Sequence, residues 1–275
     1  PFHTVIWPAL IMGLNHANNG LGADDPVSLP GPGDLALETN VPAMEYLMLA
    51  GGQFSKSRKH AVWLPSFLER FDPDTLRYYL SINMPENHDT DFNWPDFVEK
   101  INNELNGTYG NYVNRIMSLG NKLGGDNPLF DCEDLSLCSD DTARLEEIHM
   151  QIKQSLNRHR YKEALRHVMS AAQYGNQMIQ KAAPWTAIRD IADGNEPSAE
   201  SLAKLSFGWR LARFMAITSQ PFLPFSAQRL WTMLGQTGNV SETPFDSAID
   251  WDISITWSKI SEPLFSRLDL DAILE

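Results

Sequence analysis

Apolar residues recur at helical spacing over most of this chain, and the breaks between runs divide it into elements. From Phe2 to Leu14 the spacing predicts a helix, and Asn18 to Asp34 (NNGLGADDPVSLPGPGD) reads as a Gly/Pro/Asp-rich loop. Val41 to Leu49 reads as a short strand running into the Gly51-Gly52 pair and a polar Ser/Lys/Arg stretch. Asp72-Pro73 offers an N-cap and a first-turn proline for a helix that continues from Leu76 to Ile82 and stops at Pro85. Beyond Pro95, the series Phe97, Ile101, Leu105, Tyr109, Tyr112 and Ile116 predicts one long amphipathic helix ending near Gly124-Gly125. Three more stripes follow: Leu145 to Leu156, Tyr161 to Ala182 closing at Pro184, and Leu202 to Ile217, the last broken by Pro221 and Pro224 before a short helix around Leu230. Helices in succession with short loops between most of them predict an antiparallel bundle over Trp94 to Leu234. The tail from Ser241 to Glu275, with Trp251, Ile253, Ile255, Trp257 and Leu264, has no clean period and reads as a peptide packed on the body.

A chain of 275 residues that is 43% hydrophobic can bury a core. No apolar run approaches the roughly 20 residues of a membrane-spanning helix, and residues Pro1 to Gly20 lack the order of a signal peptide, so a cytoplasmic address and no membrane partner are expected. Cys132 and Cys138, in DCEDLSLCSDD, match no four-ligand zinc spacing; reduced thiols are the main expectation, with a local disulfide or metal as the alternative. The formal charge of −13 argues against a general nucleic-acid binder and against DNA as a partner, because phosphate affinity comes mostly from Lys and Arg. Any contact with nucleic acid must then be local. The opening PFHTVIWPALIMGLN, without initiator Met or helix cap, is expected of a fragment.

The segment most informative about chemistry is GGQFSKSR, Gly51 to Arg58. Its glycines let backbone approach a ligand, and Ser55, Lys56, Ser57 and Arg58 present hydroxyls and cations to phosphate oxygens. On residue types alone, a solvated basic turn fits equally. FSKSR resembles the KMSKS signature of class I aminoacyl-tRNA synthetases, a mobile loop that closes over ATP. The resemblance implies that Phe54, Ser55, Lys56 and Ser57 bind ATP, with Lys56 as the catalytic cation that stabilises phosphate charge as pyrophosphate leaves. Gln53 and Phe54 stand where the signature has Lys and Met, and the Gln removes one charge.

The flanks narrow the family. PFHTVIWPA, EYLMLAGGQFSKSR, DTLRYYL and MPENHDTDFNWPDF are similar to methionyl-tRNA synthetases of archaeal type, over nearly the whole chain except the tail. In that family the FH...W helix lines the methionine pocket, which implies a methionine-binding role for His3 and Trp7, four residues apart. Without the resemblance, Trp7 reads as core and His3 as surface. NYVNR resembles the segment in which an Asn and an Arg recognise the first anticodon base, implying that role for Asn111 and Arg115; both side chains make paired hydrogen bonds to base edges, although most such pairs are solvated helix surface. AAPWT resembles the context of the anticodon-stacking Trp, implying that Trp185 grips a base, where the residue alone reads equally as a wedge between helices. RHRYKEALRH, with Arg158, Arg160, Lys162 and Arg166, is either a phosphate-contacting stripe or a solvated helix start.

The sequence therefore predicts a mainly α chain, in which a remnant of an α/β Rossmann catalytic domain precedes an antiparallel helix bundle. Residues 1–62 are expected to end the catalytic domain, 63–93 to connect, 94–236 to form the anticodon-binding bundle, and 237–275 to pack on the body. The implied function is a part of methionine-tRNA ligase, with methionine tRNA, methionine and ATP with Mg2+ as partners of the intact enzyme. No HIGH-like motif, G-x-G-x-x-G or Cys-x-x-Cys zinc knuckle occurs in this sequence, so the family's zinc site is not expected in it, and the chain alone is expected not to activate methionine. The competing readings are another class I synthetase, a non-catalytic tRNA-binding module with a decayed nucleotide loop, and a helical interaction protein.

Overall fold

The computed structural model describes residues 2–123, 135–253 and 262–274. Cys132, the expected helix stop at Gly124-Gly125, and Ile255 and Trp257 of the tail lie outside these residues. By internal contacts the chain divides after Met44 into two compact units.

In the first unit, a wide π-type turn over Phe2–Ile6 runs into helix α1, Trp7–Asn18, four residues longer than the periodicity suggested. The extension is held by Asn15, whose amide donates to Leu35 O at 2.8 Å and accepts from Leu35 N at 2.9 Å. That pair staples the returning loop to the last turn of the helix and satisfies both backbone polar groups of Leu35.

The second unit opens with a small sheet ordered β2-β1-β3. The strand expected over Val41 to Leu49 is confined to β1, Leu47–Leu49; β2 is Gly52–Gln53 and β3, not foreseen, is Thr90–Phe92. β1 pairs antiparallel with β2 and parallel with β3. A short helix α2, Leu64–Leu68, precedes α3, Pro73–Ile82, where Asp72 accepts from Asp74 N at 2.9 Å as the N-cap. Helix α4, Trp94–Lys100, is capped in the same way by Asn93 and continues without a break through a π-helical stretch, Ile101–Gly110, into α5, Asn111–Leu123. Trp94, Phe97, Phe67, Phe71, Phe92 and Tyr79 form an aromatic cluster with ring centroids 4.6–6.1 Å apart that joins α2, α3, β3 and the start of this long helix.

The remaining helices are α6, Ser139–Asn157; α7, Tyr161–Ala182; α8, Trp185–Ala192; α9, Ala199–Ser219; α10, Pro224–Met233; and α11, Leu270–Leu274. Helix α9 departs from the amphipathic stripe read in the sequence. It is buried continuously from Leu205 to Ser219, arginines included, as the central helix of the bundle. Arg210 donates to the carbonyls of Trp251 (2.8 Å) and Ile253 (3.1 Å), and Arg213 to that of Ser247 (2.7 Å), so two buried cations fasten the tail rather than face solvent. Farther along, Leu264 and Phe265 are buried, and Asn102 exchanges two hydrogen bonds with the backbone of Leu268. None of the helices among the described residues is long and apolar enough to cross a membrane.

Candidate functional site

The polar stretch after β1 is a pair of stacked turns. Ala50 (φ 46°) and Gly51 (φ 76°) form a two-residue reversal between β1 and β2, both in the left-handed region that such a hairpin demands. Ala50 accepts that conformation because Asp91 on β3 takes the Gly51 N–H at 2.8 Å and the Ala50 N–H bonds Phe92 O at 3.1 Å. Next, Ser55 and His60 pair across the chain, N to O at 2.9 and 3.0 Å, and Lys59 N returns to Lys56 O at 3.1 Å. Lys56, Ser57 and Arg58 are thereby carried at the tip of a tight loop, exposed. The Ser55 hydroxyl lies 3.3 Å from that of Ser57 and accepts from Arg58 N at 3.4 Å, while His60 is held to Leu49 O at 2.7 Å. His60, which sequence reading missed, ties the base of the loop to β1. The tip presents two hydroxyls and adjacent cations, a set suited to phosphate oxygens rather than to a metal ion. Phe54, at the base of the loop, is exposed.

In the first unit, Trp7 lines an apolar cleft of about 450 Å³ with Leu10, Ile11, Leu14 and the 35–38 segment. His3 is exposed, does not line this cleft, and makes an edge contact with Phe2 at 5.4 Å.

The third group comes together most fully. Asn111 and Arg115 lie one turn apart at the start of α5, facing α7, and both are bonded to Asn176. Asn111 Nδ2 donates to Asn176 Oδ1 at 3.0 Å; Arg115 donates to Asn176 O at 3.3 Å and Oδ1 at 3.4 Å, and to Gln180 Oε1 at 3.2 Å. The orientation of the Asn176 amide follows from its other end, where Nδ2 donates to two carbonyls, Thr108 O (2.9 Å) and Ala172 O (3.1 Å). Its oxygen must therefore face Asn111 and Arg115. The Asn111 carbonyl oxygen and part of the Arg115 guanidinium remain available to a ligand.

Helix α7 ends at Ala183 in the left-handed conformation (φ 46°), and Pro184 caps α8, so Trp185 is the first residue of a new helix rather than part of a turn. Trp185 is 40% exposed, and with Asn114, Arg115, Ser118, Leu119 and Ile179 it lines a shallow cleft of about 240 Å³. A guanidinium and a half-open indole ring thus face one cleft, with Asn111 a turn away on the same helix. Asn176 and Gln180, absent from the sequence reading, hold that geometry.

Among the described residues no group of three or more His, Cys, Asp or Glu is placed to hold a metal ion. Cys138 is buried.

The profile described as tRNA synthetases class I (M) matches residues 1–117, and that described as the anticodon binding domain of methionyl tRNA ligase matches residues 131–267. The chain is 34% identical over 254 residues to the methionine–tRNA ligase of Roseiflexus sp. (strain RS-1), covering 91% of this chain and 38% of that protein. It is 31% identical over 275 residues to that of Bacillus cereus (strain Q1), covering 99% of this chain and 44% of the relative. The chain therefore spans less than half the length of these relatives. Its fold matches that of Mycobacterium tuberculosis methionyl-tRNA synthetase in complex with methionyl-adenylate, with a TM-score of 0.66 at 21% identity, over 97% of this chain and 48% of that one.

Proposed function

We propose a function from one premise: the chain belongs to the methionyl-tRNA synthetase family. It supplies the ATP loop and the anticodon-reading bundle of an enzyme that joins methionine to its tRNA. Residues 1–62 complete the catalytic domain, 63–93 connect it, 94–236 read the RNA and 237–275 brace the bundle. The observation that carries this reading is the convergence of Arg115 and Trp185 on one cleft, with Asn111 beside them.

In the bundle, a splayed-out base stacks on the Trp185 ring. Asn111 offers an acceptor and Arg115 donors, complementary to the amino group and the ring acceptors on the pairing edge of cytosine. Both polar groups are held by Asn176 before the base arrives, which lowers the ordering cost of binding. At the loop, Lys56 places its ammonium against the phosphates of ATP as negative charge develops on departing pyrophosphate, with Ser55 and Ser57 donating to phosphate oxygens and Phe54 beside the nucleotide. The loop, Gly51 to Arg58, has no carboxylate, so Mg2+ would be held by the nucleotide rather than by these residues and would supply charge neutralisation to its phosphates. His3 and Trp7 contact methionine, Trp7 through sulfur–aromatic packing.

Binding of this chain to a fluorescent anticodon stem-loop tests the RNA half. Wild type is expected to prefer a CAU loop to a GAU loop, and Trp185→Ala to weaken CAU binding by about 1–3 kcal/mol. Equal affinity for both loops, unchanged by the substitution, removes the base-reading assignment.

A further inference from the structure

The crease between α7 and the long helix does not end at Asn176. Towards the start of α7 it opens into a cleft of about 400 Å³, lined by Lys100, Glu104 and Thr108 on one side and Lys162, Arg166 and Gln173 on the other. Lys162, Arg166, Gln173, Asn176 and Gln180 follow one another at three-, four- and seven-residue steps, so they share one face of α7. Thr108 belongs to both places: it lines the cleft, and its carbonyl accepts the Asn176 amide. A rise of 1.5 Å per residue puts Arg166 about 21 Å along the helix from Gln180, a span that several nucleotides cover.

The charges in the cleft do not cancel. Lys100 lies 3.6 Å from Glu104 and 3.9 Å from Asp96, and Glu104 also accepts the Tyr78 hydroxyl at 2.7 Å, so these groups are committed to one another. The side chains of Lys162 and Arg166 have neither hydrogen bond nor ion pair among the described residues. In a chain with 35 acidic and 22 basic residues, two uncommitted cations sharing a cleft are a local reversal of the overall field.

We propose that this cleft holds phosphodiester groups of the same RNA whose base is read at Arg115 and Trp185; the inference rests on that reading. Lys162 and Arg166 neutralise backbone phosphates, and Gln173 offers a neutral donor between them and the base-reading corner. The cleft carries affinity without sequence preference, whereas the corner carries preference.

The experiment is a salt titration of CAU and GAU stem-loops against wild-type chain and a Lys162→Gln/Arg166→Gln double variant. The variant is expected to bind CAU more weakly at low salt, to keep its preference for CAU over GAU, and to show a log–log salt slope shallower by about 1.5. Between about 50 and 200 mM salt, wild-type affinity then falls roughly eightfold further than that of the variant. A Lys162→Arg/Arg166→Lys exchange, which retains both charges, is expected to restore the slope and so separates charge from misfolding. An unchanged slope and affinity in the Gln variant, with preference for CAU intact, overturns this inference and leaves the base reading standing. Absence of loop preference in the wild type overturns both. Unchanged RNA binding accompanied by lost binding of inorganic phosphate assigns the cleft to a small anion and also overturns it.

Discussion

Asn176 and its neighbour Gly175 control how closely α5 and α7 approach, and through that distance the reach of Arg115. An ideal Cβ on Gly175 would lie 2.4 Å from Tyr112 Cε2 and 2.7 Å from Cδ2. The Tyr112 ring cannot yield, because it is fully buried and its hydroxyl donates to Gly208 O at 2.6 Å, where burial also raises the phenol pKa well above its ordinary value. Gly175→Ala should therefore lower stability by about 1–3 kcal/mol, despite the gain of about 1 kcal/mol that Ala brings to a helix interior. Urea unfolding reads this directly, and a midpoint at or above that of the wild type would show that the two helices separate freely. Gly175 falls on the apolar stripe that the sequence shows from Tyr161 to Ala182, and the structure buries it there. Asn176 beside it was not legible: nothing local reveals that the Asn spans to Thr108 and Arg115, more than 60 positions away. The residues proposed to face a base were legible only by resemblance: NYVNR and APW have recognisable order, while their supports are single amides with no motif around them.

At the scale of elements, the apolar series of the long helix contained more than a helix. Phe97, Ile101, Leu105 and Tyr109 are spaced by four, four and four, and each such step overshoots an α-helical turn by roughly 40°. Three steps drift by about 120°, close to the rotation of one residue, so an α-helix would spread the four over about a third of its circumference. The structure resolves the conflict by widening the turns over Ile101–Gly110, with Asn111 N bonded back to Asn106 O, and all four residues are fully buried. The series by itself reads as one ordinary amphipathic helix, and neither the π-helical stretch nor β3 was foreseen in the sequence, the latter because TDF carries no alternation long enough to mark a strand. Deleting Asn103 should convert the stretch to ordinary α-helix with both flanks still facing inward. Deleting Asn114 from the α-helical part should swing Ile116, Met117 and Leu119 out of the core by roughly 100°. The expected outcome is a loss of stability several kcal/mol larger for the Asn114 deletion than for the Asn103 deletion. Equal melting temperatures for the two deletions would mean that the π stretch is no reservoir of an extra residue.

At the scale of the whole molecule, a helical bundle, a loop-bearing remnant and a tail packed on the body were legible from periodicity and breaks, but the fastening of that tail was not. It depends on side chains that a linear reading assigns to solvent: Arg210 and Arg213 on α9, and His149 on α6. His149 is buried, stacks on Phe245 at 5.0 Å and bonds Phe245 O at 3.2 Å, beside the Lys153–Asp246 ion pair. Burial holds its pKa below the ordinary 6.5, outweighing the Phe245 carbonyl and the Asp246 carboxylate, which favour the protonated ring; Lys153 opposes protonation as burial does. The unfolded chain then binds a proton at a pH where the folded chain does not, so this contribution to stability is present above about pH 6.5 and is lost as pH falls towards the depressed folded value. Asp74, buried with its pKa raised, contributes with the opposite sign at lower pH, and comparison with a variant removes it. His149→Gln keeps a donor for the Phe245 carbonyl but has no titration. Melting temperature between about pH 7.5 and 5.5 should decline more steeply for wild type than for this variant. Parallel curves would place no titrating group at the junction of the tail and α6, and the acid sensitivity of the bundle would then have to come from its carboxylates.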